Sequence, residues 1–315
     1  MGTAKEMGRH MIKSFLLLAA AAAGLHADTY YLTIAGLGGE PEYDQRFAGW
    51  ASDLTKLLQN EPNAKVDSLT GKDATKANIQ AKLGSIGAAA KANDNFVLLL
   101  IGHCSFDLDY KFNIPGPDIT ASELAPLLDK IAANQVILNM TSASGGMISA
   151  LQKPKRVLVT ATKTGTEKNA TIFARYFIEG LRDAASDADK NDAISALEAF
   201  RYAEAKTSRF FESQKRLATE HALLEDTGKG EGVKTPSPEN GQGIMANRLN
   251  LLHLGAVASY VNNPEKQKLL KQKEDLEAAI DQLKFEKAAM AVQQYRTQLQ
   301  KYLLELAKTQ EALDK

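Results

Sequence analysis

Cysteine is almost missing. One residue, Cys104, stands in a chain of 315, so no intramolecular disulfide can staple the fold and stability has to come from an apolar core. A surplus of one charge is missing too: 38 Lys and Arg face 38 Asp and Glu. That balance leaves no overall positive field to draw the chain onto a phosphate backbone, and no nucleic-acid partner is expected. Long hydrophobic runs are scarce. The run from Phe15 to Leu25, FLLLAAAAAGL, falls short of what about 30 Å of hydrocarbon requires of a helix. What is present is ordinary for a globular chain: 44% hydrophobic and 24% charged residues, with 22 Gly and 9 Pro, a composition that excludes a disordered tail and a fibrous repeat.

Lys5, Arg9 and Lys13 precede the short apolar run, and small Ala27 comes after it. A basic stretch, an apolar stretch and a small residue in that order make residues 1–27 a secretory signal peptide cut after Ala27, with a periplasmic or secreted product. In such a compartment the lone Cys104 is either buried or paired between chains.

Tyr30 to Ala35 is β-rich and runs into Gly36, Gly38 and Gly39, after which Phe47, Trp50, Leu54, Leu57 and Leu58 recur at helical spacing. A second strand and helix follow at Lys65 to Leu69 and Thr75 to Ala90. Asn95 to Ile101, NFVLLLI, is apolar throughout, as strands covered on both faces are. Phe106, Leu108, Tyr110 and Phe112 alternate as in a half-exposed ribbon, Thr120 and Glu123 form a capping-box pair that opens a helix, and Gln135 to Asn139 and Val157 to Ala161 supply two more buried strands. This alternation predicts a doubly wound, mainly parallel α/β core spanning residues 28–260. After Ala170 the pattern is helical, at Thr171 to Ala184 and Ile194 to His221, and the polar stretch Glu225 to Gly243 reads as a mobile loop.

From Pro264 to Lys315 opposite charges interleave, and Leu269, Leu276, Leu283 and Met290 recur every seventh residue. After a phase shift Val292, Leu299, Leu306 and Leu313 do the same. The stretch 264–315 therefore reads as a coiled coil or long amphipathic helix, about 78 Å long if continuous. Its seam calls for self-association or a helical partner. A hairpin folded back near Ala288 to Ala291 fits the same pattern, because the phase shift falls there.

Ligands of open parallel sheets bind beyond the carboxyl ends of the strands. Two segments reach that edge: Gly102-His103 after LLLI, and Thr141-Ser142-Ala143-Ser144-Gly145 after VILNM. A histidine facing a small hydroxyl residue is the pairing that nucleophilic catalysis needs. A turn rich in Ser and Gly can offer backbone N–H groups to an oxyanion. A loop histidine beside a Ser/Gly cap explains the same residues without chemistry.

The order strand, helix, strand, helix, apolar strand ending in GH, ribbon, helix, and strand ending in a small-residue S-G turn resembles the legumain-like peptidases of the caspase and haemoglobinase fold. The likeness covers roughly residues 30–221. The stretch from Val157 to Phe177, VLVTATKTGTEKNATIFARYF, likewise resembles the strand and helix that come after the site in bacterial members. The resemblance implies a caspase-like core with His103 as general base, Ser142 where the family has its nucleophilic Cys, and Gly102, Ser144 and Gly145 around the oxyanion or substrate pocket. It implies no catalytic cofactor, and a peptide or protein as partner. Two departures stand out: Cys104 stands after the histidine where Gly is common, and Ser142 replaces the thiol. A hydroxyl is a weaker acid than a thiol and needs a base held by a third group; Asp107, Asp109 and Asn139 are the candidates. Cys104 cannot substitute, since neighbours on an extended segment point to opposite sides. The expectation is a retained fold with peptidase activity lost or much reduced, acting as a binding or assembly module. The alternative is an active endopeptidase using Ser142 and His103.

A second candidate site lies at Asp187, Asp189, Asn191, Ser195 and Glu198. Oxygen ligands at loop positions 1, 3, 5, 9 and 12 with apolar Ile194 at position 8 match the EF-hand calcium pattern, except that Asp192 stands where Gly makes the sharp turn. Calcium would clamp two helices rather than catalyse. A solvated acidic turn in which Ser195 caps the next helix is the competing reading. His221, beside Glu220, is assigned no role.

Overall fold

The computed structural model describes residues 27–237, 240–255, 257, 260 and 263–315. Apart from Ala27, the expected signal peptide lies outside the described residues. In chain order the elements are β1 (Thr29–Ala35), α1 (Pro41–Leu58), β2 (Ala64–Leu69), α2 (Lys76–Ala89), β3 (Asn95–Ile101), β4 (Cys104–Phe106), β5 (Tyr110–Phe112), β6 (Ile119–Thr120), α3 (Ala121–Leu128) and β7 (Asn134–Asn139). They continue with α4 (Ile148–Leu151), β8 (Arg156–Thr160), α5 (Phe173–Arg182), β9 (Ala193–Ser195), α6 (Ala196–Ser213), β10 (Leu223–Glu225), α7 (Ile244–Arg248), β11 (Asn250–His253), α8 (Pro264–Glu286) and α9 (Val292–Asp314).

Six strands form one sheet in the order β10-β8-β7-β3-β1-β2. All neighbours are parallel except the edge strand β10, which runs against β8. The fold is thus α/β with a mainly parallel sheet. Alternation along the strands divides the core in two. Tyr31, Val97, Leu99, Val136, Leu138 and Val159 pack with the apolar faces of α1, α5 and α6. Leu32, Ile34, Leu98, Leu100, Ile137 and Leu158 pack with α2, α3 and α4. Leu98 and Leu100 are wholly inaccessible, which is why β3 reads as an unbroken apolar run. The chain passes outward from β1 to β2 and returns to β3 on the other side, so the direction of winding reverses between β1 and β3, at the edge where His103 leaves the sheet.

Local chemistry accounts for several boundaries. The Thr120 hydroxyl accepts from the Glu123 N–H while Glu123 returns to the Thr120 N–H, completing the capping box of α3. The alternating stretch 106–112 is two short strands around a turn, with Leu108 at its tip 96% exposed. The helix expected to reach His221 ends at Ser213, and Lys215 takes the left-handed conformation with φ 52° that ends helical pairing. The polar stretch 225–243, expected to be mobile, is closed across its base: buried Asp226 accepts from the Gly243 and Ala246 N–H groups, and Gln242 bridges the Asp226 N–H and the Glu231 carbonyl.

Residues 264–315 do not form one continuous rod. α8 and α9 are joined by a short 3-10 turn at Lys287–Ala289 and lie antiparallel, with Lys266 near the start of α8 bonded to the Leu313 carbonyl at the end of α9. The break in the heptad phase and the break in the helix coincide. α8 belongs to the body: its Asp281 accepts from Asn247, its Lys273 donates to the Asn191 carbonyl, and its Glu274 accepts from Asn250. His253 completes this docking, with Nδ1 2.7 Å from Glu61 and Nε2 2.8 Å from Glu274. Burial opposes its charged form, but the bonds to Glu274 and Glu61 outweigh burial and push the imidazole up to about 10.

Candidate functional site

His103 lies just past β3 and Ser142 just past β7, and those strands are parallel neighbours. Both residues therefore emerge on the carboxyl edge of one sheet. The Met140 N–H donates to the Leu100 carbonyl and the Gly36 N–H to the Ile101 carbonyl, tying the three strand exits together. Gly36 and Gly102 answer a steric demand: a Cβ on Gly36 would sit 2.4 Å from the Asn113 carbonyl, and Gly102, at φ 152°, lies against Gly36 and the Phe112 ring.

The two side chains nevertheless have different company. The His103 ring is half-buried edge-on between Tyr43 and Phe47 of α1, with centroids 4.8 and 5.1 Å away. Burial lowers its affinity for a proton, partly offset by the charges of Asp44 and Glu40 and by the Gly38 backbone. Ser142 turns to Cys104 instead. Its hydroxyl accepts from the Cys104 N–H at 3.3 Å and donates to the Cys104 carbonyl at 3.4 Å, while the Cys104 thiol donates to the Ser142 carbonyl. Ser142 is 1% exposed, which leaves its oxygen out of reach of a substrate carbonyl. No hydrogen bond joins His103 to Ser142 among the described residues. Burial also pushes the Cys104 thiol up to about 11, so at neutral pH it is a protonated donor and not a thiolate nucleophile.

The turn after Ser142 is equally committed. Ala143 lies buried in the left-handed region at φ 48°, and its N–H donates to the Glu167 carbonyl at 2.7 Å. Buried Ser144 shares a 3.1 Å bond with the Thr162 hydroxyl and accepts from the Thr162 N–H. The Gly145 N–H, expected to face an oxyanion, donates to that same Thr162 hydroxyl. A Cβ on Gly145 would lie 2.2 Å from the Lys163 backbone, so the loop after β8 is packed onto this turn.

None of the three candidates for orienting the imidazole bonds to it. Asp107 pairs with Lys111 at the tip of the β4–β5 hairpin, and Asp109 accepts from the Ser122 N–H. Asn139 is buried in a network with Tyr110 and Thr141, in which the Tyr110 hydroxyl donates to it at 3.2 Å and the Thr141 hydroxyl at 2.8 Å. The carboxylates that do act on His103 are Glu40, at the N-cap position of α1, and Asp44 in that helix's first turn, and no motif in the sequence marks them. His221 has a partner too: Nδ1 lies 2.5 Å from Glu167, the residue whose carbonyl holds Ala143.

At the second site Asp187, Asp189 and Glu198 each offer a carboxylate oxygen, all within 4.8 Å of one another. Asp192 adopts φ 66°, the left-handed conformation that its loop position demands. Asn191 and Ser195 are engaged within the loop: the Asn191 amide oxygen accepts from the Ala193 N–H, and Ser195 and Glu198 form a full capping box at the start of α6. The helix-cap reading is therefore realised, and it leaves lone pairs on the same carboxylates. Partial burial first, then the charges of Glu198, Asp187 and Asp281, push the Asp189 carboxyl up to about 6. Burial pushes Glu277 on the facing α8 up to about 7, Lys273 opposing and Asp189 adding to the rise. The Lys273 ammonium faces this group, donating to the Asn191 carbonyl at 2.8 Å and lying 3.9 Å from Glu277.

No family model and no curated protein matches the chain. Among solved structures it is similar to the protein GSU0716 from Geobacter sulfurreducens, at 12% identity and a TM-score of 0.45, over 73% of this chain and 99% of that one. It is similar to the Drosophila initiator caspase Dronc, at 13% identity and 0.41, over 65% of this chain and 81% of that one. It is similar also to caspase-1 from Spodoptera frugiperda, at 11% identity and 0.41, over 64% of this chain and 86% of that one.

Proposed function

We propose that the chain is an exported, caspase-like protein related to the legumain peptidases, whose peptidase centre is degenerate and which works as a binding or assembly module for a peptide or protein. One observation carries this reading: the Ser142 hydroxyl is buried and spent on the Cys104 backbone, while the His103 ring packs between Tyr43 and Phe47. A serine nucleophile needs an exposed oxygen, a base in reach and N–H donors aimed at the oxyanion; here the oxygen is buried, the imidazole packs between two rings, and the Ala143 and Gly145 N–H groups donate to Glu167 and Thr162. The purified protein should therefore resist a fluorophosphonate probe at Ser142. Stoichiometric labelling of Ser142, lost in His103→Ala, contradicts the reading. Ser142→Ala should cost about 1–2 kcal/mol of stability by leaving the Cys104 N–H unpaired, as read by urea unfolding, and should change no activity.

The outer face of α9 suits the assembly role. Val292, Leu303 and Leu304 are 67%, 49% and 57% exposed, and only Thr309 and Leu313 of that helix are buried. Removing residues 292–315 should leave a folded body and lower the number of chains per particle. Light scattering that gives the same number before and after removes self-association from the proposal.

A second reading, calcium stabilisation, is favoured by the three converging carboxylates and the left-handed Asp192. Millimolar calcium should raise the melting temperature by mass action, and Asp189→Asn should abolish the rise. Protons compete below about pH 6, where Asp189 becomes neutral, so the effect should fade there. An unchanged melting temperature at about pH 7.5 eliminates this reading.

A further inference from the structure

We propose that Asp94 is the receptor for a new chain terminus: cleavage after Ala27 frees the α-amino group of Asp28, and the resulting ammonium pairs with the Asp94 carboxylate at the amino-terminal edge of the sheet. The inference rests on the export part of the proposed function and goes beyond it.

Asp94 is 4% exposed, and no Lys, Arg or His side chain pairs with it among the described residues. A buried carboxylate without a cation is costly unless its oxygens are fully used. One oxygen accepts from the Lys91 N–H at 2.8 Å; the other accepts from the Asp28 nitrogen at 2.9 Å. Asp28 is held at its remaining points as well. Its carbonyl accepts from the Asn95 N–H at 2.9 Å, and its carboxylate pairs with Lys65. The nitrogen is thus aimed at Asp94 by contacts that do not depend on what precedes it. The Asp94 carbonyl in turn accepts from the Asn134 N–H at 3.0 Å, so one residue gathers the starts of β1, β3 and β7.

The cleavage is a hydrolysis by an export-linked peptidase. The bond between the Ala27 carbonyl carbon and the Asp28 nitrogen breaks, water supplies hydroxyl to the carbonyl and a proton to the nitrogen, and the amine takes a further proton from solvent. The neutral N–H donor becomes a cation at the same place. Charge-assisted hydrogen bonds are roughly twice as strong as neutral ones, so processing turns a modest contact into the missing ion pair of Asp94.

The test starts from the full chain expressed in a cell that exports it, with the terminus of the recovered protein read by mass spectrometry. Asp28 is the expected first residue; an intact leader or a different terminus overturns the export premise. Melting temperatures are then compared for the protein starting at Asp28 and one retaining Ala27, each with and without Asp94→Asn. The Asn change should lower the melting temperature of the Asp28 form by about 3 °C more than that of the longer form. Equal effects in both forms overturn the pairing while leaving export standing. Should Asp94→Asn not fold, reductive methylation of the unsubstituted protein decides: the Asp28 amine should react several-fold more slowly than in urea, and an equal rate overturns the proposal.

Discussion

His253→Leu should destabilise the protein by about 3–5 kcal/mol, the range for removing one partner of a buried ionic group. The substitution leaves the Glu61 and Glu274 carboxylates facing each other with no cation between them, at side-chain exposures of 4% and 27%. Because Glu274 lies on α8, the loss should appear first as undocking of the α8–α9 hairpin, measurable as accelerated amide exchange across 264–286 before global unfolding. The pH dependence has a fixed sign. Despite burial, the bonds to Glu274 and Glu61 raise His253 from an ordinary 6.5 to about 10. Its contribution is whole below pH 6.5 and is lost as pH rises through about 10. The wild type should therefore lose stability on the alkaline side in a step that His253→Leu lacks, as read by urea midpoints between about pH 7 and 11. A flat difference across that range contradicts the charged form of His253.

Gly145→Ala should cost about 3 kcal/mol, the upper part of the range for overpacking. The added methyl would sit 2.2 Å from the Lys163 carbonyl carbon and 2.4 Å from its oxygen, both backbone atoms. Relief requires the loop after β8 to lift, which breaks the Gly145 and Ser144 bonds to Thr162 and loosens the Ala143 bond to Glu167. The measurement is the urea midpoint, with amide exchange of Ala143 and Gly145 as the local probe. A variant within about 0.5 kcal/mol of wild type, with those amides still protected, shows that the turn is open enough to admit a side chain and contradicts a closed site.

The parts of this fold that were legible in the sequence are those decided by neighbours along the chain. β3 could be read because its consecutive apolar residues, Phe96 to Ile101, need cover on both faces. The start of α3 could be read because Thr120 and Glu123 carry their own cap. The positions of His103 and Ser142 at one sheet edge came from strand order. The features that stayed hidden depend on residues far apart. The edge strand β10 pairs antiparallel with β8 through only Leu223 to Glu225, too short a run to carry a periodic signal. Glu61 and His253 are 192 residues apart, and neither sits in a motif. The heptads of 264–315 suited a rod and a hairpin alike until packing of α8 on the body chose the hairpin. Side-chain direction at the site was the least legible feature, since spacing places Ser142 at an edge and says nothing of whether its hydroxyl meets a histidine or a backbone amide.

Peptide cleavage decides whether the turn at Ser142 is closed to nucleophilic chemistry. Purified protein is incubated with a diverse peptide library and products are counted by mass spectrometry, beside His103→Ala and Ser142→Ala controls. All three proteins should give the same background. Cleavage at defined peptide bonds by the wild type, abolished in both variants while their melting temperatures hold, would contradict a closed turn.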